Sequence, residues 1–67
     1  MRWYKCKFIA EKMNKKEVKD HLQFFIETKD YAEDEDRAIE QAISYLIEER
    51  NLSVVAILDC EEEIENE

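Results

Sequence analysis

The chain has 67 residues, a formal net charge of −8, and neither glycine nor proline. Its length suits one small domain, which buries only about 60% of the surface that its unfolded form exposes. Without glycine, the Gly-rich phosphate-binding loops of nucleotide enzymes are excluded. No apolar run approaches the roughly 18 residues of a membrane span, and the N-terminus lacks the apolar core of a signal peptide. We therefore expect a soluble, cytoplasmic protein with no membrane association.

The two halves of the chain differ strongly in charge. Residues 1–29 carry eight Lys or Arg and four acids, whereas residues 30–67 carry two Arg and fourteen acids. Such asymmetry often marks a surface used for association, although a solvated surface that keeps a small protein soluble is the commoner explanation. The charge pattern therefore suggests a binding surface but does not identify one.

Two strands open the predicted fold. Apolar and polar residues alternate over residues 2–12, and the alternation resumes from Leu22 to near Lys29. Asn14 favours a hairpin loop between them, because Asn tolerates turn geometry. The alternative is a short helix from Lys15, which Asn14 would cap. The side chains predicted to face the core are Tyr4, Cys6, Phe8, Ala10, Leu22, Phe24 and Ile26.

The next segment has the clearest pattern in the sequence. Apolar residues recur at the three-and-four spacing of an α-helix, which predicts a helix over residues 34–50. Asp34 is its predicted N-cap, and Asn51 falls where helices commonly end in a left-handed residue. Residues 29–33 are predicted to form the loop into the helix. The predicted apolar stripe consists of Ile39, Ala42, Ile43 and Leu46, with Ala38 and Tyr45 on its flank.

A third strand is predicted from the apolar run over residues 52–60. A right-handed crossover through the helix places this strand beside the first and antiparallel to it. The predicted fold class is α+β, in the order ββαβ, with strand one central in a three-stranded antiparallel sheet and the helix on one face. Residues 1–60 form this domain, and the acidic residues 61–67 are predicted to be a disordered tail. The helix-facing set predicted for strand three is Leu52, Val54, Ala56 and Leu58.

The second face of this sheet has no element predicted to cover it. Contiguous apolar surface is rarely bare on a soluble monomer, so we expect an interface there with another protein or with a second copy in a homodimer. Isolated exposed hydrophobes, or a register error of one residue in strand three, are the alternatives. The predicted partner-binding residues are Trp3, Ile9, Phe25, Val55 and Ile57, mixed with Lys5, Lys7, His21, Gln23 and Glu27.

Candidate residues for catalysis or metal binding are few. Cys6 is predicted to face the helix and His21 the open face, so the two should form neither a thiolate pair nor a metal site. Cys6 and Cys60 could be neighbours in antiparallel strands, where they are explained as buried, inert thiols. We expect no enzymatic activity, no cofactor and no metal.

A second candidate surface is acidic. Carboxylates at the helix start could mimic DNA phosphates in the basic groove of a nucleic-acid-binding protein. Lysines near Trp3 and Phe25 favour direct binding of single-stranded nucleic acid, but the net charge of −8 opposes it. We therefore do not expect direct nucleic-acid binding. The predicted acidic surface consists of Glu33, Asp34, Glu35, Asp36 and Glu40.

The run from Tyr31 to Ala42, YAEDEDRAIEQA, follows a strand and opens a helix. It resembles the corresponding part of the small phage early proteins that inhibit bacterial RNA polymerase, a family similar in size and in its single helix on a three-stranded sheet. The resemblance implies a compact viral protein that occupies a surface on a host protein such as RNA polymerase or a defence enzyme. The sequence thus predicts a non-enzymatic protein-binding regulator, most simply a phage-type inhibitor.

Overall fold

A computed structural model describes residues 1–12 and 22–64. Its elements are β1 (Arg2–Lys12), β2 (Gln23–Ala32), α1 (Glu35–Arg50) and β3 (Leu52–Glu62). β1 lies between β2 and β3 and is antiparallel to both. The predicted α+β fold, with its ββαβ order and central first strand, is confirmed. The predicted hairpin loop at Asn14, its helical alternative and His21 lie outside the described residues.

β2 is longer than the second strand that the sequence predicts. It continues past Lys29 to Ala32, because Tyr31 pairs with Trp3 and Ala32 with Arg2 across the ladder. Ala32 is fully buried, and the Tyr31 ring packs against Trp3. The prediction of a loop over residues 29–33 is therefore wrong for residues 29–32, which belong to β2.

α1 has the two caps that the sequence predicts. The Asp34 side chain accepts a hydrogen bond of 2.9 Å from the backbone N–H of Arg37. At the other end, Asn51 adopts the left-handed conformation with φ of 55°, and its N–H donates to the Leu46 carbonyl. These caps satisfy backbone groups that a helix end leaves unpaired, and they set the two ends of the 16-residue helix.

The core lies between α1 and one face of the sheet. Every second side chain of β1 points into it, and small residues on the strands and the helix let α1 lie close to the sheet. Ala38, which the sequence placed on the flank of the helix stripe, is fully buried. The buried residues are Tyr4, Cys6, Phe8, Ala10, Ala32, Ala38, Ala42, Leu46 and Leu52, with Phe24, Ile26, Ile39, Ile43, Val54 and Cys60 packed around them.

β3 has two register shifts against β1. As a result, Leu58 and Val55 have no directly opposed residue in β1. A bulge of this kind adds a residue to one strand and interrupts its strict alternation. The first two members of the predicted helix-facing set contact the core. Ala56 does not, because it pairs with Ile9 of the opposite face, and Leu58 is half exposed.

The C-terminal end of β3 extends beyond the predicted domain boundary at residue 60. Glu61 and Glu62 pair with β1, and the N–H of Glu63 donates a hydrogen bond of 2.7 Å to the Trp3 carbonyl. The first two residues of the predicted tail are therefore part of the sheet. Residues 65–67 are outside the described part of the chain.

Candidate functional site

The sheet face opposite α1, here called the open face, is uncovered by any described element. On β1 and β2 it consists of the odd-numbered residues, because opposed residues in antiparallel strands share a face. Trp3 and Phe25 are 50% and 53% exposed. Ile9, the direct cross-strand partner of Phe25, is partly buried. Three of the five predicted partner-binding residues thus lie on the face that the sequence assigned to them.

Tyr31 also belongs to the open face, although the sequence analysis placed it in a loop. It is 48% exposed and directly opposes Trp3, with the two ring centroids 5.1 Å apart. Such aromatic pairs contribute about 0.5–1.5 kcal/mol beyond the area that they bury. The signal for Tyr31 was weak, because the consecutive polar residues Thr28, Lys29 and Asp30 interrupt the alternation before it.

The apolar side chains of the open face form two separate groups. Trp3 and Tyr31, the Trp3 corner, lie at one end of the β1–β2 ladder, and Phe25 and Ile9, the Phe25 corner, lie at the other. At the rise of a strand, the six residue steps from Trp3 to Ile9 span about 20 Å. The predicted patch is therefore divided by charged rows. Across the three strands, one row consists of Lys29, Lys5 and Glu61, and the other consists of Glu27, Lys7 and Asp59.

Among the described residues, two ion pairs connect charged side chains at the open face. Lys5 Nζ lies 3.7 Å from Glu27 Oε2, and Lys29 Nζ lies 3.1 Å from Glu63 Oε2. Exposed pairs of this kind contribute only about 0–1 kcal/mol to stability. They do, however, bring carboxylates to two lysines that would otherwise face each other as like charges.

The remaining two predicted partner-binding residues, Val55 and Ile57, lie on β3. They are 46% and 50% exposed. Ile57 directly opposes Phe8, whose side chain is in the core, so Ile57 is on the helix side and its assignment to the open face is wrong. The register shift at Val55 is the reason, because it reverses the facing of the residues that follow.

Carboxylates at the start of α1 and at the C-terminal end of β3 lie at the same end of the molecule, here called the acidic end. Arg2 opposes Ala32, which lies just before the helix cap, and Arg2 Nε is 3.6 Å from Glu62 Oε2 at the end of β3. Among the helix carboxylates, Glu40 lies 3.8 Å from Arg37. All residues of the predicted acidic surface are exposed: Glu33, Asp34, Glu35, Asp36 and Glu40.

The two cysteines are directly opposed across β1 and β3, and both are free thiols. Burial, together with a hydrogen bond to Cys60, raises the pKa of Cys6 to about 12. Burial also raises the pKa of Cys60. Both thiols are therefore protonated at neutral pH and lack the thiolate that nucleophilic attack requires. No group of three potential metal ligands occurs among the described residues.

An open groove of about 600 Å³ separates part of β2 from α1. Asp30 lies in it, partly buried, and its Oδ2 accepts a hydrogen bond of 2.9 Å from Thr28 Oγ1. Burial raises the pKa of Asp30. The sequence analysis did not single out this residue, although an acid at a helix-facing position of a strand is a detectable signal. Other residues lining the groove include Ile26, Gln41, Tyr45 and Arg50.

No protein-family model, curated protein or solved structure matched the chain. Within the described residues, α1 is too short and too polar to cross a membrane.

Proposed function

We propose that the chain is a non-enzymatic protein-binding regulator that acts through its open face. The observation that carries this proposal is the half exposure of Trp3, Phe25 and Tyr31 on one face of the sheet. Large aromatic side chains dominate the energy of protein interfaces, because they bury much area with little loss of conformational freedom. Three of them on one uncovered face favour a partner over water.

The charged rows between the two corners would supply specificity. The band between the apolar corners carries both signs of charge, with Lys5, Lys7 and Lys29 beside Glu27, Asp59 and Glu61. A matching partner would offer two apolar pockets about 20 Å apart, with polar groups between them that complement both signs of charge. A partner with an apolar surface at that position would be rejected, because it would take the charged rows out of water without pairing them.

The resemblance of residues 31–42 to the phage early inhibitors supports a narrower proposal. We infer a phage-type inhibitor that docks in the host cytoplasm on a protein such as RNA polymerase or a defence enzyme. This segment contributes Tyr31 to the Trp3 corner, and its acidic turn adjoins that corner at the acidic end. Inhibition by occupying a host surface needs no catalytic group in this chain.

Affinity capture from bacterial lysate, followed by mass spectrometry, tests the proposal. The double variant Trp3→Ala/Phe25→Ala should lose a host protein that the wild-type chain retains. Tyr45→Ala removes an aromatic ring of 46% exposure from the helix and serves as the matched control, which should retain that protein. Equal capture by all three chains would reject the open face as the binding surface.

Acidic mimicry of DNA is the second candidate, because carboxylates from α1 and β3 meet at the acidic end. Neutralising Glu33, Glu35 and Asp36 together leaves the Asp34 cap in place and should abolish binding to a basic partner. Raised salt should also weaken that binding steeply, since the contact is between exposed charges. Binding that is indifferent to both changes would reject the mimic.

A further inference from the structure

The free edges of the two outer strands differ in regularity. β2 pairs with β1 at ten consecutive positions without a shift, so its outer edge offers an unbroken row of backbone donors and acceptors. β3 has two register shifts and three acids near its C-terminal end. Bulges and charges of this kind discourage pairing with another strand. Among the described strands, β2 has the edge that is suited to pairing.

We infer that two copies of this chain associate through the free edges of β2, in the antiparallel register that opposes Thr28 to Thr28 of the second copy. A two-fold axis relates the copies, so each contact occurs twice. Directly opposed residues must lie on the same face of the joined sheet. Because residues of one face alternate along a strand, the two-fold axis must pass through the position of one residue of β2 and not between two residues. Only registers centred on Glu27 or Thr28 pair nearly the whole strand.

Charge decides between these two registers. Centring on Glu27 would oppose two carboxylates on the open face. Centring on Thr28 opposes Glu27 to Lys29 of the second copy and Phe25 to Tyr31 of the second copy. Opposite charges and aromatic pairs are the cross-strand contacts that favour pairing. Within each copy Glu27 already pairs with Lys5 and Lys29 with Glu63, so this register joins these ion pairs into one network across the axis.

The helix side of the sheet leaves room for this contact. The open groove separates α1 from residues 26–30 of β2, which leaves space beside that edge on the helix side. The Thr28 register opposes Asp30 to Ile26 of the second copy. Asp30 works against pairing, because a carboxylate on the inner side of an edge strand loses water. Arg50 lines the groove near Ile26 and brings a compensating positive charge to that side.

The dimer would join the two apolar corners of the open face. Within one copy they lie about 20 Å apart. Across the two-fold axis, Tyr31 lies beside Phe25 of the second copy, so a continuous apolar row crosses the interface. The row runs from Trp3 and Tyr31 to Phe25 and Ile9 of the second copy. This inference concerns the purified chain alone and does not depend on the proposed host partner.

Sedimentation equilibrium of the purified chain tests for the dimer, from about 1 µM to about 1 mM. The expected result is a mass that rises from the 8.1 kDa of one chain to twice that value. A mass that stays at one chain up to the highest concentration would overturn the inference.

Charge exchange at the interface tests the register. Glu27→Lys and Lys29→Glu should each weaken dimerisation by about tenfold or more, because each places two pairs of like charges across the axis. The combined variant Glu27→Lys/Lys29→Glu restores opposite charges and should recover most of the affinity. As a control, Glu48→Lys makes the same change in net charge as Glu27→Lys, but on the exposed surface of α1, and it should leave the affinity for the second copy unchanged.

Circular dichroism establishes that each variant is folded before its mass is compared. If Glu27→Lys is unfolded, Glu27→Gln replaces it, and a several-fold weaker dimer is then expected because the attraction is lost without new repulsion. A dimer that tolerates the single reversals, or that the combined variant fails to restore, would overturn the Thr28 register. Loss of the dimer in Trp3→Ala alone, with both reversals tolerated, would indicate face-to-face packing instead.

Discussion

The two faces of the sheet are built from the same strands but have opposite characters. On the covered face, β1 contributes Tyr4, Cys6, Phe8 and Ala10, all buried under α1. On the open face, its neighbouring residues are aromatic, charged or partly exposed. Because alternate residues of a strand point to opposite faces, each position in β1 serves one face only. Stability and recognition can therefore change independently in this small chain.

The difference between the covered and the open face should be clearest for Leu46→Ala, the variant with the largest expected loss of stability. Removing a fully buried Leu costs about 2–5 kcal/mol, which would leave a chain of this size largely unfolded. Its neighbour Ile47, 40% exposed, should lose less than about 1 kcal/mol on substitution by Ala. Urea unfolding followed by circular dichroism measures both. Similar losses would contradict the covered face as the source of stability.

The closeness of α1 to the sheet can be tested by adding volume. Ala42 is fully buried, and Ala42→Leu should cost about 1–3 kcal/mol because the surrounding side chains must move. Gln41→Leu adds apolar volume at the adjacent exposed position and should be nearly neutral. Thermal unfolding distinguishes the two. A stabilised Ala42→Leu variant would mean that the helix lies farther from the sheet than described.

The attachment of α1 over the covered face depends partly on its N-cap. Asp34→Ala removes the acceptor for the Arg37 N–H and should destabilise the chain by about 1 kcal/mol. Glu33→Ala, one residue earlier, also removes a negative charge but no capping bond. Its loss should be a few tenths of a kcal/mol. Chemical denaturation measures the loss of unfolding free energy in both variants. Equal losses would contradict the role of Asp34 as the cap.

The open face should behave in the opposite way to Leu46. Phe25 is 53% exposed, so Phe25→Ala should change stability by less than about 1 kcal/mol. Unfolding by urea provides the measurement, with Leu46→Ala as the reference. A loss as large as that of Leu46→Ala would show that the open face is a second core, and the division between the faces would fail.

The smallest effect is expected at Asp30, a partly buried acid on the helix side. Its folded-state pKa is raised by burial, so its favourable contribution is complete below the ordinary pKa and is lost as pH rises through the raised value. Asp30→Asn keeps an acceptor for Thr28 Oγ1 without the charge. It should raise the melting temperature at about pH 7, and the gain should vanish near pH 3. A gain that is independent of pH would exclude the charge as its cause.

Most of the fold follows from local features of the sequence. The alternation of β1, the Asp34 cap and the left-handed Asn51 each act over a few residues, and the sheet order follows from connection rules. The end of β2 does not follow, because Lys29 and Asp30 resemble a loop locally. Pairing with the first residues of β1 keeps this segment in the sheet.

The candidate site was predicted less completely than the fold, for a related reason. Trp3, Ile9 and Phe25 lie in strands with unbroken alternation, so their facing could be read directly. Tyr31 was missed with the end of β2, and Ile57 was placed on the wrong face. Alternation cannot locate a register shift, since a bulge depends on pairing with the neighbouring strand.

The two shifts of β3 also affect how its length can change. An edge strand that already accommodates two extra residues has bends where one residue can be gained or lost without moving the others out of register. β1 and β2 have no such position along their ladder. Deleting Leu58 should therefore be tolerated, whereas deleting a residue from the middle of β1 should not. Alignments of this chain with distant sequences should accordingly admit gaps near Val55 and Leu58 and forbid them in β1.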